Sequence, residues 1–229
     1  MFKRTLAMAL VGMAFAAAGF VAPHAKADYA EAKDIVDSSK ITIQRLIRSP
    51  ETPQVKALLA RAEGVMIFPQ ILKGAFFIGG EGGSGVMMSK LANGAWSYPA
   101  FYSMGSVSFG LQIGGQSSEA VLLIMTQRGL DSIINDQVKL GADISAAAGP
   151  VGIGTEASTT TAIGADIYVY SLNKGLFIGA ALEGAVIAKR TDWNQVFYKG
   201  TYTPSQIVRK NRTSNPDADP LRAAVEAGA

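Results

Sequence analysis

Lys174–Arg190 reads KGLFIGAALEGAVIAKR, and a hundred residues earlier Lys73–Lys90 reads KGAFFIGGEGGSGVMMSK. In both, Lys-Gly leads into an aromatic-containing apolar run. Ile-Gly follows, then one glutamate before a glycine (Glu81, Glu183), then a second apolar run ending at a basic residue. The Ile-to-Glu distance differs by two residues, from Ile78 to Glu81 and from Ile178 to Glu183. Strand side chains alternate faces with period two, so that difference keeps the faces in register. The pair reads as an internal echo bracketing one Gly-rich β core. Glycine inside strands marks bends, bulges or close approach of another backbone, so the core is expected to be strongly curved.

The flanks supply helices. Over Asp28–Ser49, Ile35, Val36, Ser39, Ile43, Leu46 and Ile47 share one face at the 3.6-residue period. Lys33, Asp37, Lys40, Gln44 and Arg48 lie opposite. Ser49-Pro50 stops this helix. Thr52-Pro53 is read as the start of a second helix to about Ala62, with Gly64 as its left-handed terminator. Val65–Phe68 reads as a short strand closed by Pro69. Asn93-Gly94 reads as a two-residue hairpin turn. Ser106–Gln112 alternates strictly, and Ala120–Met125 is an unbroken apolar run suited to a strand buried on both faces. Leu140–Ala148, Ala162–Tyr170 and Leu176–Ala188 read as further strands. Short helices are expected at Gly129–Asn135, Asp192–Tyr198 and Thr203–Arg209, and Asn211–Ala229 as a flexible tail. The expected fold is α+β: a Gly-rich curved antiparallel sheet or barrel-like sandwich with two N-terminal helices and short C-terminal helices.

Composition narrows the chemistry. Of 229 residues, 48% are apolar and 17% charged, as in a globular core. Met1–Ala27 has the form of a secretory signal peptide: Lys3 and Arg4, an apolar Leu6–Ala22, then Ala25-Lys26-Ala27 for cleavage. Cleavage removes three of 21 basic residues and leaves 18 against 18 acids, net zero, so nucleic acid loses its support as a partner. It also removes His24, the only histidine, from a chain without cysteine. A mature chain with neither excludes an imidazole base, a thiol nucleophile, a Ser-His-Asp triad and Cys/His zinc sites. The organisation expected is 1–27 signal peptide, 28–210 a single domain and 211–229 tail.

Gly80–Gly85 spells G-x-G-x-x-G, but the strand-like Val86-Met87-Met88 comes next, where a dinucleotide site needs a helix. Glu81 and Glu183 read as strand-end acids rather than a glycosidase pair. Trp96, Tyr98, Phe101 and Tyr102 form an aromatic group that suits core packing or a membrane-facing belt.

Gly94–Ala100 (GAWSYPA), Val107–Gly115 (VSFGLQIGG), Leu140–Gly152 (LGADISAAAGPVG) and Lys174–Arg190, continuing to Asn194 and Phe197-Tyr198, together resemble the SYLF lipid-binding domain family. Its yeast members were first described as actin-binding proteins. The resemblance covers roughly residues 28–208. It implies a non-enzymatic domain without cofactor that binds membrane phospholipids, phosphoinositides in eukaryotic members, partly through a basic amphipathic N-terminal segment. By helical position the corresponding cations are Lys33, Lys40, Arg45 and Arg48, diluted by Asp34 and Asp37. Unlike the eukaryotic members this sequence shows a signal segment and no SH3 or FYVE module. Export makes actin an unfit partner, and the expected ligand is an anionic phospholipid of the cell envelope. A small outer-membrane β-barrel and a protein-interaction module without lipid binding are the alternatives.

Overall fold

In the computed structural model, which describes residues 27–75, 79–108, 116–151, 164–173, 176–179, 182 and 184–229, the first helix is α1, Tyr29–Arg48. The Asp28 carboxylate accepts from the Ala30 amide at its start, and Ser49 ends it in extended conformation before Pro50. Ala32, Val36, Ser39, Thr42, Ile43 and Leu46 are buried, one stripe at helical spacing. α2, Val55–Arg61, starts later than the Thr52-Pro53 signal suggests. Thr52 is buried, and its hydroxyl donates to the Leu46 carbonyl, tying the turn back to α1 instead of capping α2.

The strands are β1 Gly64–Ala75, β2 Gly79–Ser89, β3 Ala100–Ser108, β4 Gln116–Ile124, β5 Val138–Lys139, β6 Ala146–Ala148, β7 Ile167–Asn173, β8 Leu176–Gly179 and β9 Val186–Lys189. They form one sheet in the order β5-β9-β3-β2-β1-β4-β7-β6, with β8 also on β7, beyond the stretch β6 occupies. All pairings are antiparallel except β6 with β7. Gly64 therefore opens a strand rather than ending a helix. Pro69 does not stop β1 either. Pro69 and Gln70 fall in a register shift against both neighbours, a bulge where no ladder amide is required.

Only a short connection separates β8, beside β7, from β9, beside β3. From Gly179 to Val186 the chain reaches at most about 25 Å. Six inter-strand steps in a flat sheet measure about 29 Å. The sheet must therefore curl to bring its two ends together, and it is the curved antiparallel sheet of an α+β fold. The echo is not a structural repeat. Its first copy is the β1–β2 hairpin with Lys73 opposite Glu81, whereas β8 and β9 of its second copy pair with different strands at opposite ends. Leu140–Ala148 likewise is not one strand: it follows β5, turns at Gly141 (φ 82°) and reaches β6 only at Ala146, and Gly184 at φ 81° precedes β9.

Alternation assigns the two faces. Phe101 packs against Trp193 and Phe197, on the side of α1 and of α4, Thr191–Tyr198. Tyr102, on the other side, donates to the Ile133 carbonyl of α3, Gln127–Asn135. Ser89 on that second face donates to the Val208 carbonyl of α5, Pro204–Val208, which opens with a Thr203/Gln206 capping box. Helices on both faces leave Val65–Phe68, Val86–Met88 and Ala120–Ile124 fully buried. A membrane-spanning barrel needs an outward apolar row facing lipid. These central strands have none, which removes that alternative. Among the described residues no helix is long and apolar enough to cross a membrane.

Two turns and the tail differ from expectation. Gly94, at φ 84°, is the left-handed residue of the hairpin, and its amide meets the Leu91 carbonyl. The loop is thus a three-residue type rather than a two-residue one. Residues 211–229 are not a flexible tail. Pro216–Ala218 form a 3₁₀ turn, and α6, Asp219–Glu226, buries Leu221 and Val225. α6 packs beside α1, where Gly228 lies so close that a Cβ would sit 2.3 Å from Ile47 Cδ1. The segment lacks a long apolar period because it is short and its partners lie far away in sequence.

Candidate functional site

α1 presents its outer arc and one flank to solvent. Along that flank a trench runs between the helix and the end of the sheet. One part, about 930 Å³, is bounded by Ile41, Arg45 and Arg48 of α1 and by Ser117–Glu119 of β4. The other, about 540 Å³, is bounded by Glu31, Asp34 and Ile35, by Leu72 and Gly82–Ser84, and by Trp193. Pro69 and Gln70 of the β1 bulge line both. Ile41 is 46% and Leu72 57% exposed, the large hydrophobics open to solvent among the described residues.

The four cations anticipated from sequence all lie on α1 but in different states. Lys33 pairs with Asp37 one turn on, and that hydrogen-bonded carboxylate raises its pKa. Arg45 crosses to Glu119 of β4, a carboxylate that also accepts from the Thr42 hydroxyl. Lys40 and Arg48 make no ion pair among the described residues. Glu51, near Arg48, has its pKa lowered by a hydrogen bond from Ser49. At about 100° per residue Lys33 and Lys40 share the outer arc, Arg48 sits where that arc meets the trench, and Arg45 turns into the trench.

The aromatic group is not a membrane-facing belt. Trp96, Phe101 and Tyr102 are at most 1% exposed. Burial pushes the Tyr102 phenol far up. Tyr98 is half-buried: its hydroxyl donates to Asp219 at 2.8 Å and its ring lies under Arg222, 4.3 Å from the guanidinium carbon. Arg222 also donates to the Trp96 carbonyl through Nε and Nη2, at 3.0 and 2.9 Å. Trp96 and Tyr98 are thus the seat of α6, a contact that sequence spacing did not reveal.

Glu81 accepts from Ser106 Oγ at 2.8 Å across the β2–β3 ladder, and Glu183 lies outside the described residues. Gly80–Gly85 are strand, continuous with the Val86-Met87-Met88 run, so no helix opens there for a dinucleotide. The glycines make room: a Cβ at Gly83 would stand 2.1 Å from the Gln70 carbonyl oxygen, and one at Gly85 2.3 Å from that of Ile67. The β1 bulge crosses β2 there, which lets Pro69 and Gln70 form the trench floor.

Asp166, 3% exposed, is a structural hub. Burial opposes its charge. Hydrogen bonds from Ser145 and Thr126, together with the Arg128 charge, prevail and hold its carboxyl below the usual range. It joins the Thr126 cap of α3 to the start of β7.

A curled sheet clothed by helices, with one amphipathic helix offering cations and an open trench, defines a binding module. The chain belongs to the Ysc84 family, described as Las17-binding protein actin regulators, whose model matches residues 105–228 and reaches to the end of α6. This is the SYLF family that the sequence blocks resemble. LAS seventeen-binding protein 3 of Saccharomyces cerevisiae is 34% identical over 175 residues, 75% of this chain and 38% of its own length. An SH3 domain-containing protein of Schizosaccharomyces pombe is 33% identical over 168 residues, 72% of this chain and 39% of its own. Human SH3 domain-containing YSC84-like protein 1 is 29% identical over 142 residues, 62% and 41% respectively. The chain spans about two fifths of the length of these relatives. The family description speaks of binding and regulation, which fits a non-enzyme.

Proposed function

We propose that this chain is a non-enzymatic phospholipid-binding protein of the cell envelope, exported by residues 1–27 and adsorbing to anionic membrane surfaces through α1. The observation that carries the reading is the outer arc of α1: Lys40 and Arg48, without ion pairs among the described residues, flank the half-exposed Ile41. Cations near an anionic surface contribute about 1 kcal/mol each, and an apolar side chain among them inserts shallowly. Lys33 and Arg45 contribute less, because Asp37 and Glu119 already neutralise them.

The test is flotation of residues 28–229, which contain the whole described core, with vesicles of graded phosphatidylglycerol content at low and high salt. Binding should rise with anionic lipid and fall with salt, and joint charge reversal of Lys33, Lys40, Arg45 and Arg48 should abolish it. Unchanged binding by that variant would remove the site from α1. No binding at any composition would favour the second reading, a protein-interaction module, which the binding name of the Saccharomyces cerevisiae relative supports.

A further inference from the structure

The α1 residues that line the trench include Glu31, Asp34, Ser38, Ile41, Arg45 and Arg48. Their spacing of three and four keeps them on one flank of the helix, about 26 Å long. The order along it is acid, acid, Ser, Ile, base, base. Turned end for end about a point between Ser39 and Lys40, this flank meets its own complement. Glu31 falls opposite Arg48, Asp34 opposite Arg45 and Ser38 opposite Ile41. We infer that the trench docks a second copy of this chain, its α1 lying antiparallel to the first across a two-fold axis.

Three observations carry this. The charge pattern is self-complementary under the one operation that a two-fold dimer requires. Glu31, Asp34 and Arg48 have no ion-pair partner among the described residues, so these charges are available across an interface. Ile41 and Leu72, the exposed large hydrophobics, border this trench, and Ile41 lies next to the proposed axis. Compensation of the helix dipole accounts for an acid in the first turn and bases in the last. It does not account for Asp34 in the second turn or for an exposed isoleucine at mid-helix. Lys33 and Lys40 lie towards the far side of the outer arc and stay open in the dimer, whereas Arg48 and Ile41 are covered there, so dimerisation competes with membrane contact through those two residues. The inference does not depend on lipid binding and is tested without lipid.

The experiment is sedimentation equilibrium of residues 28–229 as wild type, E31R and R48E, singly and mixed in equal amounts. The wild type should form a reversible dimer, and each single variant should set like charges against each other at both ends of the helix pair. Each should then dimerise roughly tenfold or more weakly. In the equimolar mixture, position 31 of each copy again faces an opposite charge at position 48 of the other, so wild-type association should return. Ile41→Glu should also split the dimer, with unchanged circular dichroism showing that the fold survives. A wild type that stays monomeric up to about 1 mM would overturn the inference. So would a dimer indifferent to E31R and R48E, or variants that the mixture does not rescue.

Discussion

Replacing Gly85 with alanine puts one methyl group where β1 crosses β2. Built on the existing backbone, its Cβ lies 2.3 Å from the Ile67 carbonyl oxygen and 2.6 Å from Phe68 Cδ1. Ordinary contact begins near 3.4 Å, so the strands must part by about 1 Å. The nearest obstacle is backbone, held by ladder hydrogen bonds on both sides, and no rotamer change relieves it. Overpacking of this kind costs about 1–3 kcal/mol, here at the upper end. The smaller entropy of the unfolded alanine chain returns about 0.4–1 kcal/mol. The net loss is about 2–3 kcal/mol, which for a chain of this size lowers Tm by about 4–12 °C. Gly105 in β3 is the contrast. Its Cβ would lie 3.8 Å from the nearest backbone oxygen, that of Glu81, so Gly105→Ala should raise Tm by about 1–4 °C. Thermal unfolding followed by far-ultraviolet circular dichroism reads both. A Gly85→Ala protein that melts at or above wild type would refute the close crossing. Equal losses at both positions would mean that the glycines are needed for backbone freedom rather than for proximity.

Asp166→Ala should cost about 3 kcal/mol, because it leaves the Ser145 amide and the Thr126 and Ser145 hydroxyls without their acceptor; urea unfolding at neutral pH measures it. The folded-state pKa of Asp166 is lowered, so its contribution is complete above the unfolded carboxyl value of about 3.9 and is lost as pH falls through the folded value below it. The stability difference between wild type and Asp166→Asn should accordingly shrink below about pH 4 and stay constant above it. Arg222→Ala removes two hydrogen bonds to the Trp96 carbonyl and the cation over Tyr98. It should destabilise by about 2 kcal/mol and raise the accessibility of Trp96 to a soluble fluorescence quencher, and unchanged quenching would show that α6 does not depend on this anchor.

Much of the fold was legible where a single element carries its own pattern. The period over Asp28–Ser49, the Thr203-Pro204 cap and the apolar run at Ala120–Met125 correspond to α1, α5 and β4. What escaped depends on partners distant in sequence. Pro69 stops a strand by local rules, yet β1 continues past it because a bulge excuses the missing amide. The two echoing stretches are spelled alike, but pairing with β7 or β3 is decided by the curl of the whole sheet. Trp96 and Tyr98 read as a belt because Asp219 and Arg222, which cover and bond them, lie more than 120 residues away. At the site, helical spacing did place four cations on α1. That Arg45 is held by Glu119, and that the β1 bulge opens a trench beside the helix, required the register of strands that the spacing does not contain.

The contact between α6 and α1 sets an order of events during synthesis. A ribosome releases α1 first and α6 roughly ten to forty seconds later at ordinary elongation rates. Throughout that interval α1 lacks the neighbour that meets Ile47, and Trp96 lacks its cover. The nascent chain therefore stays incompletely closed on this side until α6 has emerged and can pack on α1.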